Sequence, residues 1–269
     1  MGKFDGQVAI VTGAARGVGK ASAKMLAKEG CKVMLSDINP EVIDSAKDIM
    51  REVPGAECAG MVVDVSKPDQ VDGLVQETVN QFGRLDIMFN NAGINQAMCE
   101  VAETDDSVFD RVININLRGV FNGCRAAMRQ MIRQGGGGHI VNTGSYYAKR
   151  GYGYFAVYCA SKAAILNFTR SFAFEAIKHG VFVNAICPGN MYTEMHVQSL
   201  KEEAEIEGVS FEEMREKYRM AIPVQRHGTG DDIARALVFL CSEDSGYTIG
   251  ESLNVSGGLE MCRASGNSK

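Results

Sequence analysis

Strand-length apolar runs alternate with longer helix-like stretches along the whole of this chain. The runs are "QVAIVTG", "CKVMLSD", "CAGMVVDV", "LDIMFNNAG", "GHIVNTGS", "FVNAICPG" and finally "ESLNVSGG". Continuous apolar character across a strand means burial on both faces, which a parallel sheet covered by helices provides. The β-α-β-α order therefore predicts an α/β fold built on one doubly wound parallel sheet, a Rossmann fold. With 269 residues, one large domain over 1–269 accounts for the chain. Helix signals fit this reading. Gly30 closes the first helix, Pro40 in "NPE" suits the first turn of the second, and Ser66 to Asp69 has the spacing of a capping box before a third helix ending at Gly83. "GGGG" at 135–138 reads as a loop before the fifth strand. Residues 191–228 break the alternation, being long, charged and helical in pattern.

Composition excludes several classes of function. A net charge of -5 gives no purchase on nucleic acid or an anionic membrane. No apolar run approaches the ~20 residues of a membrane span. The opening "MGKFDGQVAI" has no apolar signal core and no myristoylation pattern. Eight cysteines and four histidines form neither C-x-x-C pairs nor a mixed cluster, so neither a disulfide framework nor a metal site is expected. Reduced thiols in a cytoplasmic protein are the expectation.

"TGAARGVGK", Thr12 to Lys20, follows the first strand and opens the first helix. In a doubly wound sheet this turn lies at the mouth of the cofactor crevice. Gly13, Gly17 and Gly19 let backbone N–H groups and the positive helix end approach a pyrophosphate. The spacing is T-G-x-x-x-G-x-G rather than G-x-G-x-x-G. Asp37 ends the second strand, where a carboxylate accepts hydrogen bonds from the adenosine ribose and repels a 2′-phosphate. That favours NAD over NADP. Arg16, a cation in the loop, is the opposing signal.

The chain resembles the short-chain dehydrogenases/reductases, in their single-domain branch. The resemblance is carried by "TGAARGVG", "DV" at Asp64-Val65, "NNAG" at Asn90 to Gly93, "INL" around Asn116, "GS" at Gly144-Ser145, "YCASK" from Tyr158 to Lys162, and "PG" at Pro188-Gly189. It covers the chain from Gln7 to Gly258. It implies a cofactor site formed by Gly13, Arg16, Gly17, Val18, Gly19, Asp37, Ile38, Asp64, Val65, Asn91, Ala92, Gly93, Tyr158, Lys162, Pro188, Gly189, Met191 and Thr193. It also implies that Lys162 holds the nicotinamide ribose, that Asn116 orders a water chain to that lysine, and that the chain forms a homotetramer through its long helices. Ser256 stands in "NVSGG" where the family usually has aspartate, a departure that weakens any carry-over to C-terminal packing.

The catalytic chemistry follows from the residues. Tyr158 and Lys162 stand at i and i+4, on one helix face. A free tyrosine, with a pKa near ~10, is a poor base at neutral pH. A nearby ammonium is expected to lower that value and make the pair an acid/base for an alcohol or a carbonyl. Ser145, at a strand end, is expected to hydrogen-bond the substrate oxygen. Asn116, Ser145, Tyr158 and Lys162 thus form the expected catalytic tetrad.

Two regions are expected to shape the substrate pocket. "SYYAKRGYGYFAVY", between Ser145 and Tyr158, is aromatic and carries Lys149 and Arg150, which would suit an anionic group or simply face solvent. Residues 190–228 resemble the family's helical lid, with Met195, Leu200, Ile206, Phe211 and Met214 toward a pocket and the charges toward water. His196 and Gln198 are within the lid's reach of a polyhydroxyl substrate. The expected reaction is NAD-linked interconversion of a secondary alcohol and a ketone. A sugar alcohol or its phosphate ranks first as substrate, ahead of a 3-oxoacyl thioester and of a hydroxysteroid, diol or acetoin. A non-catalytic NAD-binding homologue is the alternative of another class.

Overall fold

A computed structural model describes residues 2–261; the ends of the expected domain, and with them Cys262, lie outside the described residues. Seven parallel strands form one sheet in the order β3-β2-β1-β4-β5-β6-β7. They are β1 (Val8–Thr12), β2 (Lys32–Asp37), β3 (Cys58–Val62), β4 (Ile87–Asn90), β5 (Gly138–Thr143), β6 (Val181–Pro188) and β7 (Ser252–Val255). Every strand of the sequence reading is present. The order reverses between β1 and β4, the switch point at which such sheets bind ligands.

Alternation along β1 explains why its apolar run is unbroken. Ala9 and Val11 join a core formed with α1 (Gly17–Lys28), α2 (Val42–Glu52) and α9 (Gly230–Leu240). Ile10 points the other way, into a core shared with α3 (Pro68–Phe82), α5 (Gly119–Gln134) and α6 (Ala156–Ala176). Successive side chains leave opposite faces of a strand, so a strand buried on both faces must be apolar throughout.

Two helix-start expectations need correction. Ser66 does not cap α3: its hydroxyl donates to Asp64 Oδ1 at 2.7 Å, the helix starts one residue later with Lys67 as N-cap, and Pro68 fills the first turn. Pro40 precedes α2 rather than opening it, because Asn39 Oδ1 accepts from the Glu41 N–H at 3.0 Å and holds a turn before Val42. The positive-φ glycines at 30 and 83 do terminate α1 and α3.

Between α4 (Asp106–Val112) and α5, residues Ile113–Arg118 wind as a π-helix. The segment carries Asn116. The segment expected to be the lid is two helices, α7 (Glu194–Glu207) and α8 (Phe211–Ala221). Thr193 caps α7, and a Ser210–Glu213 capping box opens α8. Leu200, Ala204 and Met214 pack between them, flanked by Phe211 and Tyr218. Met195 and Ile206 are exposed, and Glu203 is buried. Met195 still lines a cavity, so the expected division into apolar pocket residues and solvated charges is corrected at Ile206 and Glu203: a two-helix segment buries the seam between its own helices first.

Candidate active site

Past the carboxyl ends of the strands lies a cavity of about 1020 Å³. The half expected to take the cofactor starts at the glycine loop. The backbone turns with positive φ at Gly13 and Gly17, and a Cβ on Gly19 would stand 2.0 Å from the Gly13 carbonyl oxygen. No side chain caps the first turn of α1. Gly17, Val18 and Gly19 line the cavity there, so the helix end is presented to whatever binds.

The loop is held from two sides. Thr12 Oγ1 accepts the Asn91 and Ala92 N–H groups at 3.0 and 3.1 Å, and Asn91 Nδ2 donates back to the Thr12 and Gly13 carbonyls at 3.0 and 3.1 Å. Asn91 thus fastens the loop as well as lining the cavity. Asp37 Oδ2 accepts the Ala15 N–H at 3.0 Å and Oδ1 accepts the Asn39 N–H at 3.0 Å. Its carboxylate is fixed at the cavity wall beside Ile38, Asp64 and Val65. Arg16 pairs instead with Glu194, in the first turn of α7, and so ties the loop to the lid. Ala92, Gly93, Pro188, Gly189, Met191 and Thr193 complete this half.

Ser145, Tyr158 and Lys162 line the other half, while Asn116 is fully buried behind it. Asn116 Oδ1 accepts the Ile94 N–H at 2.8 Å, and its Nδ2 donates to the Ile94 carbonyl at 2.9 Å and to Ser161 Oγ at 3.2 Å. A Cβ on Gly93 would lie 3.2 Å from Asn116 Oδ1 and 3.3 Å from Lys162 Nζ. Glycine at 93 is what allows the three to converge. Lys162 Nζ donates to the Thr143 carbonyl at 2.9 Å and stands 5.8 Å from the centre of the Tyr158 ring.

The electrostatics differ from the sequence expectation. Burial pushes Tyr158 up to about 12, with a hydrogen bond from Ser145 opposing it. Burial also brings Lys162 down to about 8. The lysine does not draw Tyr158 below its ordinary value here, because loss of solvent outweighs a neighbouring charge that is itself disfavoured by burial.

An aromatic group from residues 190–228 and the loop after β5 lines the cavity as well, Tyr147, Tyr152, Phe155, His196 and Tyr218, with Glu203 among them, and Arg111 lines it from α4. Gln198 also lines the cavity; Lys149 and Arg150 do not. Lys149 turns to β7, donating to the Ser252 carbonyl at 3.0 Å and Asn254 Oδ1 at 2.6 Å. Burial holds His196 down to about 4. Sequence reasoning missed Tyr152, Glu203, Tyr218 and Gln96, since each gains meaning only from a partner remote in the chain.

A family profile described as Enoyl-(Acyl carrier protein) reductase matches residues 13–260. The chain belongs to the short-chain dehydrogenase/reductase family. A galactitol 2-dehydrogenase of Agrobacterium fabrum is 36% identical over 264 residues, 96% of this chain and 99% of that protein. A 3-oxoacyl-acyl-carrier-protein reductase of Thermotoga maritima is 35% identical over 257 residues, 96% of this chain and 99% of that protein. The crystal structure of an NAD+-bound xylitol dehydrogenase superposes with a TM-score of 0.90 at 33% identity, covering 95% of this chain and all of that one. As a short-chain dehydrogenase/reductase the chain is an oxidoreductase of CH–OH groups, interconverting alcohol and ketone.

Proposed function

We propose that the protein is an NAD-linked dehydrogenase of a neutral, hydroxyl-rich secondary alcohol, a sugar alcohol in the first instance. One observation carries the cofactor reading: the Asp37 carboxylate, fixed by two backbone N–H groups, stands at the cavity wall. It accepts two ribose hydroxyls and repels a 2′-phosphate. The glycine cradle, which a Cβ at 19 would fill, and the side-chain-free helix end fit the pyrophosphate. Arg16 is engaged by Glu194.

Bound there, a nicotinamide dinucleotide supplies or accepts the hydride. The chain's own residues handle the proton. Ser145, whose Oγ lies 3.2 Å from the Tyr147 N–H, orients the substrate oxygen. Tyr158 gives that oxygen a proton in ketone reduction and takes one in alcohol oxidation. Lys162, held by Thr143, directs its remaining protons toward the cavity and the sugar of the dinucleotide. Asn116 fixes the Ile94 backbone beside Gly93 and so supports the floor of the site.

The sugar-alcohol reading is supported by the polar groups the lid brings over the site, Gln198, Ser199 and Glu203, and by the galactitol and xylitol dehydrogenases among its relatives. The acyl-thioester reading is favoured by the T. maritima reductase but gains nothing from the lid. A homotetramer is supported by Phe121 and Ile132 on α5 and by Phe174 on α6, the last 86% exposed; apolar side chains standing out on adjoining long helices suit a partner face. A cytoplasmic location agrees with free cysteines and with the finding that, among the described residues, no helix is long and apolar enough to cross a membrane.

The test is dinucleotide reduction by the purified protein across sugar alcohols, 3-hydroxyacyl thioesters, diols and hydroxysteroids, with NAD and NADP in parallel. Turnover of a sugar alcohol with NAD supports the reading. Activity confined to thioesters or steroids replaces the substrate, and preference for NADP removes the role given to Asp37.

A further inference from the structure

The lid end of the cavity closes on a carboxylate. Glu203, in the third turn of α7, is 7% exposed. Its Oε1 accepts from the Tyr152 hydroxyl at 3.0 Å and its Oε2 from the Tyr218 hydroxyl. Those two phenol oxygens are 2.7 Å apart. The lid's ion pairs run through other residues, Lys217–Glu207, Arg215–Glu212 and Arg219–Glu216. Among the described residues no ion pair includes Glu203.

Three close contacts in this cluster share two hydroxyl protons. When both tyrosines donate to the carboxylate, their oxygens face each other with lone pairs and no proton between them. The Tyr147 hydroxyl, which also hydrogen-bonds Tyr218, brings one further donor to the cluster, and a guest hydroxyl or ammonium adds another. A phosphate or carboxylate brings only further lone pairs and a like charge into a site already poor in water.

No cation is paired with that charge among the described residues: Arg111 lines the cavity and Arg150 acts on Tyr146, but neither forms an ion pair with Glu203. The Lys162 ammonium is bonded to Thr143 beneath the catalytic tyrosine. The His196 ring, buried with Nε2 unpartnered, is held neutral at pH 7 by burial. Lys149, the cation adjoining the aromatic loop, is bonded to the β7 backbone and the Asn254 side chain. Over residues 190–228 the lid itself has eight acidic against five basic residues, so its background field has the same sign.

We propose that Glu203, with Tyr152 and Tyr218, determines specificity by charge: it admits substrates that present hydroxyl or ammonium donors at the lid end and rejects those bearing phosphate or carboxylate there. This rests on the dehydrogenase reading above and narrows it, removing polyol phosphates from the candidates. Rejection of the wrong ligand by an unpaired like charge is as effective a source of selectivity as attraction of the right one.

The test uses matched neutral and anionic pairs, a sugar alcohol with its phosphate and 2,3-butanediol with 3-hydroxybutyrate, on wild type and Glu203→Gln. Turnover is read with NAD, and protection against thermal unfolding is read in the presence of NADH. In wild type the anionic member should show kcat/KM at least about tenfold lower, and less thermal protection, than its neutral partner. Glu203→Gln should close that gap about tenfold or more, chiefly by improving the anionic member, while NADH affinity stays unchanged. Equal treatment of both members by wild type, or a gap that Glu203→Gln leaves intact, overturns the proposal. Activity limited to the butanediol pair removes the sugar-alcohol reading yet still reads the charge effect. Thermal protection reads it with no turnover at all, and wild type alone decides if the variant does not fold.

Discussion

The backbone N–H of Tyr158 donates to Gln96 Oε1 at 2.8 Å. The helix bearing the proposed acid/base is therefore seated on a side chain from the loop after β4. Gln96 Nε2 also donates to the carbonyl of Tyr154 at 3.1 Å, a residue held at a positive φ of 64°. Tyr158 occupies the third position of α6, where an N–H has no partner within the helix. Gln96→Ala should cost about 1 kcal/mol of stability and lower kcat several-fold with little effect on dinucleotide KM. Gln96→Glu keeps the acceptor for the Tyr158 N–H but loses the donor to the Tyr154 carbonyl, so it should restore kcat better than stability. Thermal unfolding and steady-state kinetics check this.

Tyr158→Phe removes the proton carrier and leaves the ring in place. Alcohol oxidation should fall by about 10²–10⁴-fold, with NADH binding, followed by its fluorescence, unchanged. Retained turnover in this variant would sink the assignment of the acid/base.

The pH dependence should differ by direction of reaction. Tyr158, pushed up to about 12, stays protonated across the working range, ready to donate to a ketone and slow to accept from an alcohol. Lys162, brought down from 10.5 to about 8, loses its charge as pH rises through about 8. Ketone reduction should therefore decline above pH 8, while alcohol oxidation should rise with pH. The stability linkage has a definite sign. Between about 8 and 10.5 the unfolded chain binds more proton at this lysine than the folded chain does, so the lysine's contribution to stability improves with pH in that window. Lys162→Met should remove that part of the stability profile along with activity. Paired pH profiles of kcat/KM and of chemical unfolding test both statements.

Asp37→Asn removes the charge and keeps an acceptor for one of the two backbone N–H groups, Ala15 or Asn39. The ratio of kcat/KM for NAD over NADP should drop by about tenfold or more, as expected from losing repulsion of one phosphate near a fixed carboxylate. An unchanged ratio would mean that cofactor choice lies elsewhere.

Gly19→Ala would bring a methyl group against the Gly13 carbonyl carbon and oxygen, at 2.7 and 2.0 Å before any shift. The loop must move, so dinucleotide affinity should fall steeply and thermal stability with it. Gly73→Ala, on α3 where nothing lies within 4 Å of the added carbon, should be neutral or slightly stabilising. Comparing the two separates a packing constraint from a general effect of glycine.

The sheet was legible because burial on both faces writes itself into each strand as an unbroken apolar run. Asp37 and the glycine loop were legible because both lie at fixed places in one βαβ unit. The placement of Asn116 was less so: "INL" reads as ordinary helix, and only the backbone reveals its π winding. The lid was readable as helical, but Glu203 looked like one more solvated acid in "KEEAEIE". Its burial depends on Tyr152, fifty-one positions earlier, and no local pattern encodes a partner that distant. Ser66 misled for the opposite reason, since Asp64 two residues away offered its hydroxyl a nearer acceptor.

The π turn at Ile113–Arg118 has a further consequence. A π turn accommodates one residue more than a regular α-helix of the same span. Deleting one residue within 113–118 would let α4 and α5 join as a single regular helix, and the shortened chain should be harder to unfold. Because the π turn takes up its extra residue locally, the flanking helices would keep their phase, and the change would fall on the side chains between them, carrying Asn116 off the Ile94 backbone or leaving another side chain in its place. In this segment chain length constrains the site as tightly as residue identity does: shortening the chain would gain robustness and lose the enzyme.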